Sequence, residues 1–113
     1  MTSPITVEQI AHPTRGELEL SAVLHALSDP HRLRAVRRLA DADEPCACGS
    51  FGMDLAKSTL THHFRVLREA GVIRQELVGT SKLNSLRRDD LDARFPGLLD
   101  AVLSASDAPA VTA

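Results

Sequence analysis

The chain has no tryptophan, no tyrosine and only three phenylalanines. Proteins that grip single-stranded nucleic acid stack bases on aromatic rings, so this scarcity argues against a single-strand binder. No apolar run approaches the roughly 18 residues that a bilayer span requires. The opening stretch MTSPITVEQIAHPTRGE lacks the basic start and apolar core of a secretory signal. Both absences lead us to expect a cytoplasmic protein, where thiols stay reduced. Cysteine is nearly absent: Cys46 and Cys48 are the only two, one residue apart. So close a pair is poorly placed to bridge, and a bridge would enclose almost no loop. The sequence also lacks a nucleophile elbow, a phosphate-binding glycine loop and a zinc-protease helix motif. A short helical chain without these offers no evident substrate cavity, and we expect no enzyme.

What remains is 113 residues, 43% hydrophobic and 25% charged, enough for one domain with one modest core. The net charge of −2 hides a pattern. Acidic residues gather at both ends and in the stretch holding Asp41, Asp43, Glu44 and Asp54. Cations gather in two blocks: Arg32, Arg34, Arg37 and Arg38, then Lys57, Arg65, Arg68, Arg74, Lys82, Arg87 and Arg88. A basic middle between acidic ends suits a face that meets a polyanion, although charge blocks are also ordinary solvated helix faces.

Apolar spacing predicts a first helix over 17–27, with Leu20, Val23, Leu24 and Leu27 on one stripe. Asp29-Pro30 ends it and opens a second helix to about Ala40, since Asp caps well and Pro suits the first helical turn. That helix is expected to bury Leu33, Val36 and Leu39 and to expose most of its arginines. DADEPCACG reads as a loop leading to a short third helix around 50–55. A strong helix follows over 57–70, closed by Gly71. VIRQEL and KLNSL alternate as strands around a VGTS turn, making a hairpin. Asp89-Asp90 is expected to cap a helix over LDARF, and Pro96-Gly97 interrupts it before LLDAVL. The expectation is mainly α with a small β-hairpin: a winged helix-turn-helix of five to six helices, α-α-α-α-β-β-α. Its domain would span 17–104, between a loosely ordered arm (1–16) and a flexible tail (105–113).

The stretch KSTLTHHFRVLREAGVI holds two adjacent histidines whose roles depend on where each points. With Leu60 at zero and 100° per residue, Phe64 and Leu67 fall within about 40° of it. These three define a buried stripe. His62 falls at about 200°, with Ser58, Arg65 and Thr61 flanking it on the exposed side, while His63 falls near the core edge. A helix lying in a major groove needs short hydrogen-bonding side chains near its start and cations for phosphates. Ser58, Thr59, Thr61 and His62 meet the first need; Lys57, Arg65 and Arg68 meet the second. The wing adds Arg74, Lys82 and the tip residues Thr80 and Ser81 for phosphate or minor-groove contact. An amphipathic surface helix with ordinary polar residues remains the plain alternative.

ALSDPHRLRAVRRL, followed by KSTLTHHFRVLREAGVI and a glycine-containing wing, resembles the ArsR-type winged helix-turn-helix repressors over about residues 18–103. The resemblance implies a homodimeric transcription regulator that binds double-stranded DNA at an inverted-repeat operator. It also implies that Ser58, Thr59, Thr61 and His62 approach bases and backbone. Many such proteins are released from DNA by metal ions. Members with a thiolate site carry a Cys-x-Cys, matched here by Cys46 and Cys48, yet a third cysteine is missing. Residues 89–113 contain no histidine for the other common site. A thiophilic metal ion or a redox signal at Cys46 and Cys48 is thus one alternative, and a winged-helix module used only for protein association is another. Leu98, Leu99, Val102 and Leu103 form an apolar face wider than a small core requires. Together with Leu20 and Leu24 it is expected to make the dimer interface, unless all four are simply core.

Overall fold

The computed structural model describes residues 10–47 and 54–106. Helix α1 (Leu20–Leu27) turns sharply into α2 (Pro30–Asp41). Pro30 has no N–H to satisfy, and the Asp29 carboxylate accepts from the N–H groups of His31 (2.9 Å) and Arg32 (3.1 Å). Helix α3 (Lys57–Ala70) then leads through Gly71 into β2 (Ile73–Val78) and β3 (Ser81–Leu86), and α4 (Arg88–Arg94) and α5 (Leu98–Ser106) complete the chain. No helix among the described residues is long and apolar enough to cross a membrane.

Several expectations change. The first helix begins at Leu20, because Glu17 closes a separate 3₁₀ turn (Arg15–Glu17) and its carboxylate accepts from the Thr14 N–H at 2.8 Å. The arm is not loose over 10–16: Arg87 Nη1 donates to the Pro13 carbonyl (2.7 Å), and Arg15 pairs with Asp90 (2.7 Å). The expected loop at 46–47 is a strand, β1 (Cys46–Ala47), which pairs antiparallel with β3 to give a sheet ordered β1-β3-β2. Most of the expected helix at 50–55 lies outside the described residues, and Asp54 and Leu55 are not helical. Asp89 and Asp90 sit in the first turn of α4 rather than capping it, because Asp90 is drawn to Arg15 and Arg87.

The core is made by Leu18, Val23 and Leu27 against Val36, Leu39, Phe64, Leu67, Val72 and Ile73, with Leu91, Leu99 and Leu103 closing it from the C-terminal side. Each such side chain contributes about 1.5–3 kcal/mol by leaving water. Leu20 and Leu24 stand outside this core at 47% and 45% exposure, so the stripe expected on α1 is split between two faces. Leu99 and Leu103 are corrected in the opposite sense. They are 2% and 6% exposed within the single chain and leave only half-buried Leu98 and Val102 for any partner.

Gly71 fixes how the wing leaves α3. Its φ of 87° is left-handed, its N–H is shared between the Leu67 and Arg68 carbonyls, and a Cβ there would overlap Leu18 Cδ2. Gly79, at the wing tip, has a φ of 62° but open space around it. Gly71→Ala should therefore lower stability by about 2 kcal/mol or more, and Gly79→Ala by about 1 kcal/mol. Thermal or denaturant unfolding measures both; equal effects would contradict the packing role given to Gly71.

Candidate nucleic-acid interface

Helix α3 is pinned by its back. Phe64 and Leu67 are buried at 1% and 0% exposure, and Leu60 is half-buried at the helix start. This orientation leaves Lys57, Ser58, Thr59, Thr61, His62 and Arg65 all exposed. Ala56 supplies no side-chain cap and the first turn holds no acid. The positive end of the helix, roughly half an elementary charge, therefore faces outward beside Lys57. A polyanion is the natural complement of such an end.

The two histidines part company. His62 points to solvent. His63 is half-buried, and its Nδ1 lies 3.1 Å from Arg32 Nη1. An arginine only donates, so Nδ1 accepts and the ring proton sits on Nε2, 3.9 Å from the Asp29 carboxylate. Burial lowers the His63 pKa below its ordinary value; the charges of Arg32, His31 and His62 add to this and Asp29 opposes it. For Asp29, burial works against ionisation, yet the N–H groups of Arg32 and His31 and the nearby His63 hold its pKa below the usual value. Sequence reasoning missed Arg32 itself. Its side chain is 7% exposed and donates to the carbonyls of Ala26 (2.7 Å) and His25 (3.2 Å) as well as to His63.

The wing residues fall into two groups. Thr80 and Ser81 are exposed at the tip, and Lys82 is half-buried beside them. Lys82 pairs with Leu77 and so lies on the sheet face shared by Ile73 and Gln75, the face turned to the core. Arg74 is at the base of β2, exposed on the opposite face and distant from the tip. The structure thus gathers Ser58, Thr61, His62 and Arg65 on one helix face, sets the tip apart as a second exposed group, and leaves Arg74 with neither. Arg68, read as a phosphate anchor, turns inward and donates to Gln75 Oε1 at 3.0 Å. The signal that could have revealed this was a glutamine in the register of Ile73, on the face that β2 buries.

Cys46 opens β1, half-buried, and its thiol donates to the Glu44 carbonyl at 3.5 Å. Cys48, its partner in the Cys-x-Cys reading, lies outside the described residues. Among the described residues, no group of three or more His, Cys, Asp or Glu is placed to hold a metal ion.

A helix with a sealed back and a polar outer face, followed at once by a β-hairpin, defines a winged helix-turn-helix protein. Residues 27–76 match the family described as "Helix-turn-helix domain". The uncharacterized HTH-type transcriptional regulator YceK of Bacillus subtilis (strain 168) is 34% identical over 82 residues, spanning 71% of this chain and 82% of that protein. The crystal structure of an ArsR family transcriptional regulator superposes with a TM-score of 0.61 at 21% identity, over 80% of this chain and 93% of that one, which establishes the shared fold. The chain belongs to the winged helix-turn-helix transcriptional regulators, with a fold of the ArsR type. Such proteins are DNA-binding regulators and not enzymes.

The neutral His63 makes the helix seat sensitive to acid, and His12 acts in the same sense. His12 Nε2 accepts from the Gln75 N–H at 2.9 Å, and burial first, then the charges of Arg74, Arg87 and Arg68, lower its pKa. Folding keeps both rings unprotonated, so their contribution is complete above the unfolded value near 6.5 and is lost as pH falls through the lowered folded values. The thermal midpoint should fall between about pH 7.5 and 5.5, and the fall should shrink in a His12→Gln, His63→Gln double variant. An unchanged pH profile in that variant would contradict the assignment.

Proposed function

We propose that the protein is a homodimeric repressor that lays α3 in the major groove of an inverted-repeat operator, with the wing tip on the flanking backbone. The observation that carries this reading is the exposed strip of Ser58, Thr61, His62 and Arg65 on a helix whose opposite side is locked into the core. Thr61 and His62, with Ser58 and Thr59 near the helix start, are short donors and acceptors suited to base edges. Lys57, Arg65 and Lys82 supply phosphate contacts, and Thr80 and Ser81 add neutral ones at the tip. A repressor needs nothing further at the promoter than occupancy. Arg74 is a weaker candidate because of its place at the wing base.

Support for a dimer comes from α1. Leu20 and Leu24 are large apolar side chains left nearly half exposed one helical turn apart, and Leu98 and Val102 on α5 are half-buried. A second copy is the occupant that matches a two-fold operator, because an isologous dimer presents two recognition helices to related half-sites.

Three results follow. Against duplex fragments of the region upstream of its own gene, the double change Thr61→Ala and His62→Ala should weaken specific binding by about tenfold or more. Full affinity in that variant would remove α3 from the groove. With six such cations per dimer on phosphates, log affinity should fall against log salt with a slope of about −5; a flat dependence would overturn the electrostatic account. Leu20→Asp with Leu24→Asp should give a monomer by sedimentation and abolish tight operator binding, and a variant that stays dimeric would place the interface elsewhere.

A further inference from the structure

One rung of the sheet crosses all three strands: Cys46 lies opposite Asn84, and Asn84 lies opposite Gln75. The two amide side chains of this rung are among the most enclosed polar groups described, at 0% exposure for Asn84 and 3% for Gln75. They are joined end to end. Asn84 Nδ2 donates to the Cys46 carbonyl at 2.9 Å, and Gln75 Nε2 donates to Asn84 Oδ1 at 2.8 Å. Gln75 Oε1 accepts from Arg68 Nη1 on α3 at 3.0 Å. The backbone N–H of Gln75, on the outer edge of β2, donates in turn to His12 Nε2.

Burying amides in place of aliphatic side chains adds nothing to core stability and is costly if a partner is lost. What such a chain supplies is direction. Apolar packing between a helix and a sheet tolerates sliding, since the hydrophobic effect is non-directional, whereas hydrogen bonds fix distance and angle and so favour one arrangement. The chain links the strand that follows the recognition helix, the strand that returns from the wing tip, and the helix itself. Arg68 is drawn into it with a side-chain exposure of only 18%.

We propose that the relay Arg68–Gln75–Asn84–Cys46 sets the angle between the recognition helix and the wing, and that Arg68, Gln75 and Asn84 are positioning residues for DNA recognition. Arg68 then serves the relay and not a phosphate. The inference rests on the operator-binding reading above. It assigns a task to two buried amides that α3's outward face leaves unexplained.

The test compares Arg68→Met, Gln75→Met and the double variant with the unmodified protein, on an upstream fragment and on a duplex of scrambled sequence. Positioning predicts that each single change lowers the ratio of specific to non-specific affinity by about tenfold. The double change should lower it no further, because both break the same link. The salt slope should stay as it is in the unmodified protein. A slope reduced by about two per dimer in Arg68→Met would mean a lost phosphate contact in each subunit and would overturn the proposal. So would additive losses, or no loss. Should Gln75→Met fail to fold, Arg68→Met, at a position less buried than Gln75, carries the slope test alone. If the unmodified protein binds none of its upstream fragments, the operator reading fails and the relay is judged without DNA. The side-chain amide protons of Gln75 and Asn84 should then exchange slowly and move in the spectrum on Arg68→Met; fast exchange would overturn the relay itself.

Discussion

The buried guanidinium of Arg32 ties the end of α1 and the start of α2 to the middle of α3. Its Nε and Nη2 donate to the carbonyls of Ala26 and His25 at the C-terminus of α1, the second of which also accepts from Ser28, and its Nη1 reaches His63 on α3. The backbone N–H of the same residue is capped by Asp29. A charge taken out of water needs such a full set of partners, and here the negative end of the α1 dipole supplies part of it. The α1–α2 corner and the seat of the recognition helix are therefore set by one side chain.

From that seat the rest of the interface follows. Fixing His63 inward turns His62 outward, because neighbours on a helix are about 100° apart. Phe64 and Leu67 then lock the rotation, and Thr61 and Arg65 are carried to the same outer face as His62. Gly71 lets the chain reverse against Leu18 and start the wing at once. The helix and the wing are in this way two exposed elements on one packed core, and the amide rung across the sheet adds a directional tie between them.

Much of this was legible in the sequence. Helix α3 and its Gly71 end are where the apolar period and the glycine place them, and the hairpin strands fall within one residue of the expected bounds at each end. The outward His62 and inward His63 follow from the same period. Strand β1 was not legible, since two residues carry no periodicity and its pairing is dictated by β3. Arg32 was hidden because a charged residue on a basic helix reads as solvated, and its burial is made tolerable by the α1 carbonyls and His63 together. Leu99 and Leu103 went to the core and Leu20 and Leu24 to the surface because tertiary packing, not helical period, chooses between two apolar faces. The arm at 10–16 is ordered by Arg87, Gln75 and Asp90, residues more than 60 positions away, which no local reading can supply.

The proposed seat of α3 in the major groove of a two-fold site is open to methylation interference on the upstream duplex, because guanine N7 lies in the major groove and adenine N3 in the minor. Methylation at N7 should block binding in two symmetric half-sites whose centres are about 10 base pairs apart or a multiple of that. Interference confined to adenine N3, or a single unpaired cluster, would remove α3 from the major groove of such a site.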